Sequence, residues 1–161
     1  MAGAFIKVEV DDQAILSYIN ELRRRGADLQ PIFFEIGLYL DRATRQRWDL
    51  DVSPDGRKWA ALKPSTKALK ERNADKILIL NGILRGTLAT QATAQRLRFG
   101  SNQPYAATHQ FGAKRGAFGT SRRGRPIPWG DVTARPFLGL SADDEAAILA
   151  LLREYLTVAG G

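Results

Sequence analysis

The stretch DLQPIFFEIGLYLDRATRQRW, residues 28–48, carries the strongest helical pattern in the chain. Leu29, Ile32, Phe33, Ile36, Leu40 and Ala43 recur at i, i+3, i+4, i+7, i+11 and i+14, so a helix gathers them on one apolar stripe. Pro31 costs little in a first turn, because the N–H it lacks has no helical partner there. Asp28 offers a carboxylate to the free N–H groups of that turn. A helix from Asp28 to about Trp48 is expected, with the rest of the chain packed on its stripe.

Working outward toward the N-terminus, FIKVEV (5–10) alternates Ile6, Val8 and Val10 on one face and predicts a strand. Asp11 and Asp12 suit the start of a helix that carries Ile15, Tyr18, Ile19 and Leu22. The cations of RRRG (23–26) and the glycine that follows them suit its end.

Working toward the C-terminus, SPDG (53–56) is turn chemistry, since Pro54 presets φ and Gly56 tolerates a positive one. Trp59 and Leu62 are apolar anchors in a polar connection, and PSTKALKER (64–72) predicts a short basic helix from Ser65 or Thr66. Asn81 is placed to cap a helix holding Ile83, Leu84 and Leu88. ATAQRLRFGS (92–101) predicts a strand with Leu97 and Phe99 on one face and Arg96 and Arg98 on the other. Asn102 is placed to cap a helix through QPYAATHQF (103–111), stopped by Gly112. ARPFLGLS (134–141) predicts a strand. Ser141 and Asp144 have capping-box spacing ahead of a helix with Ile148, Leu151, Leu152, Tyr155 and Leu156, and VAGG (158–161) predicts a frayed tail. No internal repeat or regular βαβ rhythm is visible. The expected class is α+β: one domain over 1–161, a small mixed or antiparallel sheet packed by amphipathic helices, and a long basic Gly-rich loop at 113–133.

Composition narrows the function. The 161 residues, 44% of them hydrophobic, suffice for a buried core and argue against wholesale disorder. No apolar run is long enough for a membrane span, and MAGAFIKVEV lacks the pattern of a signal peptide. Cysteine is absent, which excludes disulfides, thiol catalysis and thiolate metal sites. His109 is the single histidine, so neither a His-rich metal site nor a triad without it can be built. No serine or carboxylate sits at a helical neighbour position of His109 within its segment, and a half-buried histidine bonded to backbone is the simpler reading. Asp49, Asp51 and Asp55 lack the glycine and glutamate of a calcium loop, since Pro54 and Ala60 occupy those positions. Asp143, Asp144 and Glu145 suit a helix N-terminus. GAKRGAFG (112–119) lacks the Gly-Lys-Ser/Thr ending of a phosphate loop. No catalytic residue, cofactor or metal is expected.

The charge points elsewhere. Residues 113–135 hold Lys114, Arg115, Arg122, Arg123, Arg125 and Arg135 against Asp131 alone, a net +5 out of the chain's +7. AKRGAFGTSRRGRP (113–126) has neither helical period nor strand alternation. Three readings stand side by side: a nucleic-acid arm gaining affinity by counterion release, a solvated surface loop, and a loop too rich in glycine to order alone, which orders against an acidic neighbour. Phe118 is the single aromatic within the Gly/Arg run, which gives base stacking little to use.

Four pieces occur in order: GRKWAALKPST (56–66), LILNGILRGTL (78–88), PYAATHQFG (104–112) and ARPFLGLS (134–141). Over about residues 30–155 this order resembles the phage virion morphogenesis family, the tail-completion proteins of Mu-like and P2-like tailed phages. The positions that carry it are Trp59, Leu62, Gly82, Leu84, Tyr105, His109, Gln110, Gly112, Arg135 and Phe137. Thr133 stands where proline commonly precedes the Ala-Arg pair. The resemblance implies a non-enzymatic virion protein of the head–tail junction, assembled in the host bacterial cytoplasm. It would be a tail-completion or tail-terminator-like neck component forming a homo-oligomeric ring, often of six subunits, around the DNA channel. Its partners would be further copies, other neck and connector proteins and the tail tube, with non-specific DNA contact in the channel and no membrane. A basic nucleic-acid-binding module is the alternative, and a hydrolase built on His109 a distant third. In such a ring, Lys114, Arg115, Phe118, Arg122, Arg123, Arg125, Ile127 and Trp129 are the expected interface. Ile127 and Trp129 would be its apolar anchors, and Glu35, Asp41, Asp49 and Asp51 of a neighbour candidate acceptors. Phe111 would join Trp59 and Leu62 in the core, and Arg135 would tie its segment to the body by a charge pair.

Overall fold

The described chain, residues 12–159 of a computed structural model, opens on Asp12. The strand expected at 5–10 lies outside the described residues. Asp12 Oδ1 accepts from the N–H groups of Ala14 (2.8 Å) and Ile15 (3.1 Å) and starts α1 (Gln13–Arg24). Gly26 ends it with φ 72°, and Ala27 N–H reaches back to Leu22 O at 3.1 Å, closing a Schellman turn.

Next comes α2 (Gln30–Asp49). Leu29 is the capping residue, in helical geometry and with no side-chain cap; Asp28, expected in that place, accepts from the Gln30 N–H at 3.0 Å one residue earlier. The predicted stripe is buried, except that Ala43 is half-buried and the line continues through Thr44 and Trp48. Gly37 also lies on the buried side, facing β1 (Leu88–Ala92), which pairs antiparallel with β2 (Leu97–Ser101).

A Cβ built on Gly37 would stand 2.1 Å from Thr90 Cγ2 and 3.0 Å from Thr90 Cβ, so the glycine sets how closely helix and hairpin approach. Gly37→Ala gains about 1 kcal/mol of helix propensity but overpacks this contact by about 2–3 kcal/mol. A net loss of about 1–2 kcal/mol in urea unfolding is expected, with part of it returned by adding Thr90→Ala. An unchanged midpoint for the single variant would contradict the packing described.

SPDG turns as expected: Val52 and Lys58 bridge, Ser53 N–H bonds Arg57 O at 2.9 Å, and Gly56 takes φ 81°. The short helices α3 (Pro64–Leu69) and α4 (Ile83–Gly86) follow. Gly82, in the left-handed region, caps α4 in place of the predicted Asn81, and Leu88 opens β1 instead of extending the helix. Arg96 lies in the β1–β2 turn and not in the strand. α5 (Ala106–Phe111) is capped by Tyr105, not Asn102, and ends at Gly112 as predicted. α6 (Ala142–Ala159) closes the described chain. Its capping box is formed, with Ser141 N–H on Asp144 Oδ2 (2.9 Å) and Asp144 N–H on Ser141 Oγ (3.0 Å). Val158 and Ala159 are helical, contrary to the frayed tail expected there.

Two apolar clusters result. α1, α2 and α6 enclose Ile15, Leu22, Leu29, Ile32, Phe33, Ile36, Leu40, Ile148 and Leu152. Trp48 passes from the end of α2 into the second, where it meets Trp59 edge-on (centroids 5.6 Å) and Phe137 (4.9 Å) among Ile77, Leu84, Leu88, Ala106 and Leu138. Phe99 of β2 touches both clusters. Helices with an antiparallel two-stranded sheet make the chain α+β.

Candidate assembly surface

The family-motif positions mostly hold the fold. Gln110 is buried, and its side-chain amide serves as a strand partner: Oε1 accepts from Phe137 N–H and Leu138 N–H, both at 3.0 Å, and Nε2 donates to Leu138 O at 2.9 Å. Arg135 N–H adds a bond to His109 O at 2.7 Å. The 134–141 segment is therefore not the predicted strand, because a side chain and one turn of α5 take the bonds a neighbouring strand would supply. Arg135 corrects a second expectation. Among the described residues its guanidinium forms no charge pair but donates to Ala60 O (2.8 Å) and Ala61 O (3.1 Å). Trp59 Nε1 donates to Pro136 O at 2.7 Å, pinning the same segment from the other side. Gly112 is required where it stands, since a Cβ there would lie 2.7 Å from Val132 O and 2.9 Å from Ala134 N.

Beside this knot lies an open groove of about 760 Å³. Leu62, Leu84 and His109 help line it, and Leu80, Ile83, Tyr105 and Trp129 reach it from positions that leave their own side chains exposed. Trp129 is 71% exposed, and Phe111 of α5, expected in the core, is 66% exposed. Isolated exposed apolar residues are ordinary; several around one concavity mark a contact surface. Tyr105 meets the His109 ring edge-on, with centroids 5.9 Å apart. Burial first, then the Arg135 guanidinium, lower the His109 pKa from its ordinary 6.5, so the ring is neutral at pH 7. Its Nδ1 is buried without a partner among the described residues. Lys70, its pKa lowered by burial, donates to the carbonyls of Asn73 and Lys76 (both 2.6 Å) and Ile79 (2.8 Å) and shapes one wall.

The basic segment rises from the groove as a folded-back ribbon. Ala113 and Val132 exchange both main-chain bonds (3.0 and 2.7 Å) at its base. Above them Gly116 N–H bonds Pro128 O (3.0 Å), Phe118 N–H bonds Ile127 O (2.8 Å), and Ile127 N–H bonds Gly119 O (2.8 Å). Gly116, Gly119 and Gly124 take φ of 75°, 86° and 72°, a region glycine enters without strain, and so allow the ribbon's turns. Asp131 accepts from Arg115 N–H (2.9 Å) and Lys114 Nζ (3.2 Å), in that order the main causes that lower its pKa. Phe118, Ile127 and Trp129 are exposed along the ribbon, and so are Lys114, Arg115, Arg122, Arg123 and Arg125. The structure thus places the expected interface residues together on one projection.

Leu80 and Ile83 also belong to this surface; sequence alone places Ile83 only on the helix after Asn81 and gives Leu80 no role. Asp144, a first-turn acid of α6 as expected, is in addition buried and pairs with Arg47 at 2.6 Å. Among the described residues no helix is long and apolar enough to cross a membrane, and no three His, Asp or Glu side chains gather as a metal would need.

The sequence model of the phage virion morphogenesis family matches residues 10–157. The chain is 30% identical over 151 residues to "Mu-like prophage FluMu G protein 2" of Haemophilus influenzae, covering 93% of this chain and 95% of that protein. It is 31% identical over 121 residues to "Putative capsid assembly protein G" of Escherichia phage Mu, covering 73% and 72%. No solved structure matches.

Proposed function

The chain belongs to the phage virion morphogenesis family, and on that premise we propose that it is a structural protein of the head–tail junction, a tail-completion or tail-terminator-like neck component. It acts by closing into a homo-oligomeric ring, with six copies the expected number, and by docking the tail tube to the head connector. The observation that carries this reading is the exposed apolar rim of Leu80, Ile83, Tyr105 and Trp129 around one groove, with the ribbon of 113–132 standing beside it. A ring interface is heterologous, so each subunit needs a receiving surface and a different projecting one. The groove supplies the first. The ribbon, with Phe118 and Ile127 on its flanks, supplies the second. Ile127 and Trp129 then become the apolar anchors of the joint, which is where large aromatic side chains carry most binding energy.

Ile83→Ser and Trp129→Ser test this without touching the core. Native mass spectrometry and electron microscopy of the purified full chain should show closed rings. Each variant should weaken association by about 2 kcal/mol, roughly 30-fold, while the urea midpoint of the monomer stays put. A wild-type chain that remains monomeric both at high concentration and within isolated particles overturns the proposal.

A further inference from the structure

The tip of the ribbon carries charge that no described residue balances. Ser121 N–H bonds Arg125 O at 2.8 Å, Gly124 N–H bonds Ser121 O at 2.9 Å, and Arg125 N–H bonds Ser121 Oγ at 3.2 Å, so residues 121–125 close a tight turn. Arg122, Arg123 and Arg125 are all exposed on it. Among the described residues the ribbon's ion pairing is confined to Lys114 and Asp131, near its base. Three guanidinium groups therefore lie within four residues with no carboxylate of the described residues paired to them.

The acids on and just beyond α2 of a second copy do not form a matching cluster. Of the four acids expected to receive these arginines, Asp41 is held by Arg45 (2.8 Å) and Asp49 by Arg85 (2.6 Å). Glu35 and Asp51 remain, but they are separated by most of the length of α2, roughly 20 Å at 1.5 Å per residue. Carboxylates so far apart cannot pair with one compact triad. A duplex does present anionic charge at the required density, about one phosphate per 1.7 Å of axis. Arginine's planar fork also suits phosphate oxygens, bonding them in pairs.

We propose that Arg122, Arg123 and Arg125 at the ribbon tip bind the phosphate backbone of double-stranded DNA, independently of base sequence. The site needs no ring to form, since the turn closes on its own main chain. A tight turn bearing flexible arginines positions on phosphates and carries no recognition element for base edges. In this picture the groove and the lower ribbon join subunits, and the tip meets nucleic acid.

The test is fluorescence anisotropy of the full chain with a labelled random-sequence duplex between 50 and 200 mM salt. Three phosphate contacts give a slope of log K on log salt of about −2.7, a loss of roughly 40-fold over that range. The triple variant R122A/R123A/R125A should shed that slope. K67A/R72A/K76A removes three exposed cations elsewhere and should leave it nearly unchanged. No binding by the wild type at 50 mM salt overturns the proposal, as does an equal loss in both triple variants, which would make net charge the cause. Competition by poly-glutamate as effective, per charge, as by duplex also overturns it and assigns the tip to an acidic protein. Ring formation is scored separately without DNA, so failure here and failure of the assembly reading are told apart.

Discussion

Gln110→Ala lowers the unfolding free energy by about 3–5 kcal/mol, the largest loss expected from any polar side chain near the groove. Its amide satisfies three buried groups at once, the N–H groups of Phe137 and Leu138 and the Leu138 carbonyl. Removing the amide leaves all three without a protein partner, at about 1–3 kcal/mol each, partly relieved where water enters. With m near 2 kcal/mol/M, the urea midpoint falls by roughly 2 M. Gln110→Met separates hydrogen bonding from volume, because it fills nearly the same space and restores none of the bonds. It should cost almost as much as alanine. A loss below about 1 kcal/mol in both variants would mean the amide pairing is not what fixes the 134–141 segment.

That prediction explains why the family resemblance could be seen in the sequence while its meaning could not. Gln110, Gly112, Trp59, Arg135 and Phe137 stood out as an ordered set. Their role is to tie α5, the 57–62 connection and the 134–141 segment together across gaps of 27 to 77 residues. Local pattern carries no trace of such a partner. ARPFLGLS reads as a strand, and Phe137 and Leu138 do make strand-like bonds, but to an amide side chain. Asn81 and Asn102 had good capping chemistry and lost to neighbours, Gly82 and Tyr105, whose positions are set by the turns feeding α4 and α5. What was legible is what is short-range. The α2 stripe, the Asp12 cap, the Gly26 turn and the Ser141–Asp144 capping box each depend on residues within a few positions.

The candidate assembly surface divides in the same way. The ribbon was visible from composition, because three glycines and five cations in fourteen residues cannot form a core element. Its shape was not, since a glycine-rich run says only that positive φ is allowed and not where it is used. The groove was invisible, because Leu80 and Ile83 look like core residues until the turn at Gly82 is known to leave them exposed.

Asp144→Ala should cost about 3–5 kcal/mol, and the sign of its coupling to Arg47 is the sharper prediction. Asp144 lies on α6 and its side chain is 3% exposed; Arg47 lies on α2 and its side chain is 11% exposed, with 2.6 Å between them. The carboxylate also accepts from Tyr39 OH at 3.0 Å and from Ser141 N–H at 2.9 Å. Burial first, then this hydrogen bond to Asp144, raises the Tyr39 pKa above 10, which keeps the phenol a proton donor at neutral pH. Removing Asp144 strands a guanidinium whose remaining contacts, Gly139 O at 3.3 Å and Thr44 Oγ1 at 3.4 Å, are long. A buried cation without its anion is the costly state; a pair replaced by apolar groups is not. Arg47→Met in the Asp144→Ala background should therefore recover stability and not lose more, giving a double variant milder than the sum of the singles. Urea unfolding of the four chains reads the cycle directly. Additive losses would show that the two side chains act separately. The expected recovery would identify the pair as the link that fixes α6 and the 138–141 segment to α2.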